Sequence, residues 1–235
     1  MEHEHSILYA PVNALWHSVQ HQFAWDIPDH VIMALLVLAI SAIFFPIVGR
    51  GISRDNPGPI QHMLEFIVAG LKDLLRDIIG HEGDQYIYII GAYTVFIFLC
   101  NIFGLFYFLQ PPTSNPNTTF ALSISAFLYY NFEGIRKQGF FGYLKHFMGP
   151  VLWLAPLFFI IETIGNFARI LSLSLRLFMN IYGEHTATGI FTGLAPIIVP
   201  WPLMALGLFT ALLQAFIFVM LTSVYVSLGT AHEEH

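Results

Sequence analysis

Charge is what this chain has least of. Lys, Arg, Asp and Glu supply 10% of its 235 residues, against about 25% in ordinary soluble domains. Hydrophobic residues supply 56%, and several uncharged runs approach or exceed the ~20 residues that cross hydrocarbon. That balance excludes a soluble domain and gives a polytopic membrane protein. Cysteine is nearly absent too. A single one, Cys100, excludes an internal disulfide and any cysteine-based metal cluster; inside an apolar run it reads as an inert packing residue. Glycine-rich phosphate loops, nucleotide fingerprints and HExxH are all missing, so neither cofactor nor directly bound nucleotide is expected, and nothing points to nucleic acid. No internal repeat is evident, which weighs against a transporter built from duplicated halves. The start, MEHEHSILYA, lacks the basic residues and cleavage site of a signal peptide. It reads as a short acidic, histidine-rich, solvated tail.

What is present is a series of spans. The first covers about His30 to Val48, between Asp29 and Arg50. Arg54, Asp55 and Asn56-Pro57-Gly58-Pro59 give a loop and a helix start. From Ile60 to Ile79, Met63, Leu64, Ile67, Val68, Leu71, Leu74, Leu75 and Ile78 recur at helical spacing, with charged residues between them. That predicts an amphipathic helix on the membrane surface, not a span. The second span is about Tyr86 to Leu109, followed by the turn QPPTSNPN. The third is about Thr118 to Phe132, ended by Glu133, Arg136 and Lys137. Phe140 to Met148 reads as a short interfacial helix with Lys145 and His146 on its wet side. The fourth span, Val151 to about Phe191, would be roughly 60 Å long against ~30 Å of hydrocarbon; it must tilt, break or protrude. GLAPIIVPWP makes a turn, and the fifth span is about Leu203 to Leu228.

The expected fold is therefore an all-α integral membrane protein of about five transmembrane helices plus amphipathic interfacial helices. Its parts are a polar N-terminal tail (1–29), three spans with interfacial helices (30–150), a long helical hairpin (151–230) and a C-terminal tail (231–235). Arg50, Arg54, Lys72, Arg76, Arg136, Lys137 and Lys145 all fall in the connections after spans one and three. The positive-inside rule then puts the N-terminus outside and the C-terminus in the cytoplasm.

One polar stripe interrupts the fourth span. Glu162, Asn166, Arg169, Leu173, Arg176 and Asn180 follow one another at intervals of four, three, four, three and four residues, which is one helical face. Arg176 is its most informative member. Its guanidinium keeps its proton at any accessible pH, and at the bilayer centre an arginine costs about 2.5–3.5 kcal/mol on insertion scales. Such a residue needs a partner, and few acids of this chain lie at that depth. A salt-bridge network gluing helices together is the bland alternative, yet Glu162 can pair with only one of the two arginines. Glu184 and His185 follow eight and nine residues after Arg176; groups of this kind suit a proton path, the alternative being a solvated helix end. On the fifth span, Thr210 and Gln214 lie one turn apart, with Tyr225 on nearly the same face. Gln214 either hydrogen-bonds Arg176, holds water, or serves as interhelical glue.

These residues resemble a known family. Ser172-Leu-Ser-Leu-Arg176-Leu-Phe-Met-Asn180-Ile-Tyr-Gly-Glu184 is similar to the signature of subunit a of the rotary F-type ATP synthase. So is Leu213-Gln-Ala-Phe-Ile-Phe-Val-Met-Leu-Thr-Ser-Val-Tyr225, and so is Asn117-Thr-Thr-Phe-Ala-Leu. The resemblance runs from about Ile52 onward. It implies a non-catalytic, proton-translocating stator subunit of a bacterial inner membrane, packed against a ring of two-helix c subunits and held by peripheral-stalk b subunits. Two offset half-channels would carry protons to and from one carboxylate on each ring subunit. Arg176 would be the cation that keeps those channels from short-circuiting. Asn180 and Gln214 match positions near it, and Glu162 matches a polar position on the cytoplasmic release side. The resemblance also makes the last two spans a long tilted hairpin following the ring. It departs from the family at one place. Members often set an acid and a histidine as partners, nine residues after the arginine and seven before the glutamine; here those positions are His185 and Gly207. The uptake path then uses His185 with Glu184 beside it, or His185 with water in the space left by Gly207. A stand-alone ion channel or secondary transporter is the rival reading; it predicts transport without a ring.

Overall fold

The computed structural model describes residues 28–53, 57–105, 109–148, 152–194 and 200–230. The histidine-rich N-terminal tail, Arg54 to Asn56, the apex of the last turn, the C-terminal tail and the side chains of Lys145 and His146 lie outside the described residues. Helix α1 is Asp29–Arg50, with an acid in its first turn and a base in its last, as the helix dipole favours. Helix α2 is Pro59–Ile79, with proline at its start. It ends at Gly80, whose φ of 92° is open to glycine at little cost. Helix α3 is Ile87–Phe103, α4 is Pro116–Met148, α5 is Ala155–Leu194 and α6 is Pro200–Thr230. Short 3-10 turns at His81–Tyr86, Pro112–Ser114 and Leu152–Leu154 join them.

Among the described residues, four stretches are long and apolar enough to cross a membrane: Asp29–Arg50, His81–Phe103, Ala155–Phe191 and Trp201–Thr230. The expected third span is the first part of α4 and is not among them. Thr118, Thr119, Ser123, Ser125 and Asn131 dilute its hydropathy. Their polar atoms are absorbed locally instead: Ser123 Oγ donates to the Thr119 carbonyl at 2.9 Å and Asn131 Nδ2 to the Phe127 carbonyl at 2.7 Å. A helix that satisfies its own hydroxyls can lie within the bundle, and α4 packs against both α5 and α6. At Gly139 (φ 73°, ψ 160°) the helical conformation breaks, and the segment from Phe140 turns away. Helix α5 runs unbroken for 40 residues, so of tilt, break and protrusion the break is excluded.

Two apolar clusters hold these helices together. Ile97, Ala126, Leu173, Leu177, Ile181, Ala215 and Phe218 join α3, α4, α5 and α6. Leu75, Tyr86, Ile90, Tyr130, Val219 and Val226 tie α2 to α3, α4 and α6. Polar ties gather at one end: Arg76 to Asp84 at 2.7 Å, Lys137 to Glu82, Ser227 Oγ to the Ile78 carbonyl at 3.0 Å, and Gln138 Nε2 to the Gly229 carbonyl at 3.1 Å. The outward faces carry Ile43, Ile47, Ile164, Phe167 and Phe209 in the open. In water such a surface would aggregate; in hydrocarbon it costs nothing, and the chain is a multi-pass membrane protein.

Candidate functional site

The polar stripe on α5 divides in two. Asn166 and Leu173 are buried, whereas Arg176 and Asn180 are exposed. The buried line of the helix explains the split. Above Leu173 it turns toward Ser174, Leu177 and Ile181, which pack on α3, α4 and α6, and the stripe is left at its edge. Arg176 therefore faces outward, with no hydrogen bond or ion pair among the described residues. Gln214 is 3% exposed on α6, and the expected alternative of a bond to Arg176 is not formed.

The lower half of the stripe is self-contained. Arg169 Nη2 donates to Glu162 Oε1 at 3.3 Å, and its Nη1 to Asn166 Oδ1 at 3.2 Å. Tyr130 Oη donates to the same Asn166 oxygen at 2.7 Å. The Arg169 guanidinium lies 5.2 Å from the ring centre of Tyr225, a cation–π contact. Tyr225 thus belongs to this end of the hairpin. Around these groups is a cavity of about 120 Å³, lined by Tyr130, Tyr143, Glu162, Asn166 and Arg169, with Leu228 and Gly229 at its edge.

Toward the other end lies Glu184. Thr210 Oγ1 on α6 donates to its Oε2 at 2.6 Å. Its second oxygen sits over Gly207, where a Cβ would fall inside the carboxyl group and 2.7 Å from Leu105 Cδ2. The gap at Gly207 thus holds the Glu184 carboxyl and not, as one of the two expected arrangements had it, a water beside His185. His185, one residue on, is partly buried.

Two features escaped sequence reasoning. Thr119, fully buried, accepts from Ser174 Oγ at 3.1 Å, linking α4 to α5 two residues before Arg176. Thr113 Oγ1 donates to Asn101 Oδ1 at 2.9 Å, leaving Asn101 Nδ2 buried and unpartnered among the described residues. Serine and threonine in a membrane helix look like packing residues until their partners are known. Asn117, singled out by the sequence, is exposed in the first turn of α4, where its backbone N–H bonds Asn115 Oδ1 at 2.9 Å; it is not drawn into either cluster.

The family described as ATP synthase A chain matches residues 31–227. ATP synthase subunit a of Geotalea uraniireducens is 38% identical over 207 residues, covering 88% of this chain and 89% of the relative. That of a Sulfurihydrogenibium species is 40% identical over 207 residues, covering 88% and 99%. That of Solibacter usitatus is 40% identical over 205 residues, covering 87% and 88%. With most of its length matched, the chain belongs to the ATP synthase A chain family.

Proposed function

We propose that Arg176 is the fixed cation past which a rotor's carboxylates move, with Glu184 on the uptake side and Glu162 on the release side. The protein is the membrane-sector stator subunit of an ATP synthase, and it couples proton flow to rotation and ATP synthesis. The observation that carries the assignment of Arg176 is its isolation. A guanidinium in hydrocarbon demands a counter-charge; none of the described residues supplies one, and the side chain points away from the bundle. A carboxylate arriving from a neighbouring ring supplies it. The cation favours the ionised acid, so a ring carboxyl releases its proton near Arg176 and takes one up again before it returns to lipid. Arg169 does not compete, being engaged by Glu162, Asn166 and Tyr225.

Glu184 suits proton uptake because it is a partly buried carboxyl with a hydroxyl neighbour that can pass a proton on. Asn180 stands one turn beyond Arg176 on the outward side. The ties at the Arg136–Lys137 end, together with the clustering of basic residues there, support a cytoplasmic position for it and an outer position for the Glu184 end. In this reading the partners are the c-ring against α5 and α6 and the b subunits elsewhere in the bacterial inner membrane.

The test is Arg176→Ala in the whole complex, read as ATP-driven acidification of inverted vesicles. Pumping should vanish while the complex still assembles; normal pumping overturns the assignment. Arg176→Lys should also impair it, because an ammonium is a differently hydrated charge that can lose its proton.

A further inference from the structure

The cavity at the Glu162 end is walled by a side chain that comes from outside the span. Beyond the break at Gly139, residues 140, 141, 142 and 144 are exposed, while Tyr143 alone among the described side chains of this segment is buried, at 8% exposure. It seats against Gly134. A Cβ on Gly134 would lie 2.6 Å from Tyr143 Cε2 and 2.8 Å from the Gly229 carbonyl oxygen. Tyr143 Oη donates to Asn131 Oδ1 at 2.7 Å, and Asn131 is itself fixed by its bond to the Phe127 carbonyl. The ring then faces the cavity, whose charged and titratable groups are Glu162 and Arg169 from α5 and Tyr130 from α4, with Tyr225 from α6 under Arg169. Burial is the main cause that pushes the Tyr143 phenol up to about 12, so it stays a neutral donor at working pH. An anchor alone would need only an apolar side chain; here an aromatic wall and a directed hydroxyl stand beside an ion pair.

We propose that Tyr143 is a positioning residue of the release path: its ring walls the Glu162–Arg169 cavity and holds that pair where the proton leaves. This rests on the release-side reading of Glu162. The test uses the membrane sector of the complex left in its own vesicles, with the ATP-hydrolysing part washed away. Passive proton flux is measured while the pH is varied independently on each side. Tyr143→Ala should lower the flux about tenfold or more, as misplacement of a reacting group by an ångström can cost about a hundredfold. The response to pH should change only on the side that holds Arg136 and Lys137. Tyr143→Phe keeps the wall and loses one hydrogen bond across the break at Gly139, so flux should stay within about threefold. Wild-type flux in Tyr143→Ala, or an equal loss of response on both sides as misfolding would give, overturns the proposal. Should Tyr143→Ala fail to assemble, Tyr143→Leu, which keeps an apolar side chain but loses the ring and the hydroxyl, carries the same outcomes. Glu162→Gln, run in parallel, separates the two ideas. If it leaves the response on that side unchanged, the reading of Glu162 fails; if it changes the response and Tyr143→Ala does not, the role of Tyr143 alone falls.

Discussion

Glu184 is placed by what Gly207 lacks. The carboxyl's Oε1 lies in the volume that any other residue at 207 would fill, and Thr210 fixes its Oε2. We expect Gly207→Ala to expel the carboxyl and cut ATP-driven pumping by about tenfold or more, with normal amounts of the chain in the membrane by immunoblot. Thr210→Val, which removes one hydrogen bond, should cost no more than about threefold. Arg176 could be read from sequence because a charge in an apolar run is conspicuous wherever the fold puts it. Gly207 could not be read in the same way. A missing side chain leaves no sign of what fills its place, and its occupant is 23 residues earlier on the other arm of the hairpin. Asn117 shows the converse: a motif residue whose exposed position shows nothing of its use.

Among the elements, α2 was legible almost to the residue, because its periodicity and its proline start agree. The close seat of the 3-10 turn against it was not. A Cβ on Gly83 would lie 2.5 Å from the Leu75 carbonyl oxygen, and a backbone group cannot swing aside as a side chain can. Gly83→Ala should therefore destabilise the chain by about 1–3 kcal/mol, seen as a lower melting temperature of the detergent-solubilised complex. Gly70→Ala is the matched control. Nothing lies within 4 Å of its added Cβ, and in a helix interior alanine gains about 0.5–1 kcal/mol over glycine. The stripe on α5 was legible as one face, but its division was not. Spacing fixes which residues share a side of a helix; only the neighbours decide how far along that side is covered.

For the whole molecule, composition pointed to a membrane protein, and the length of its uncharged runs with the helical spacing between them pointed to helices. The third span was harder to see by hydropathy, since α4 carries polar groups that the bundle satisfies. The two sides of α5 near the arginine make a further prediction. A cysteine at Asn180, which is exposed, should cross-link to a cysteine in the ring, whereas one at Leu177, 0% exposed, should not. Native Cys100 is buried and should stay silent in the experiment. The readout is a covalent adduct on a denaturing gel, and adducts from both positions, or from neither, would place the ring against another face.

The solitude of the Arg176 guanidinium also bears on biogenesis. A copy of this polypeptide inserted ahead of its rotor would hold an uncompensated ion in oil, a state disfavoured by about 2.5–3.5 kcal/mol on insertion scales. We expect the steady-state level of this subunit, read by immunoblot, to fall in cells that lack the rotor; an unchanged level would speak against an uncompensated charge in the free chain.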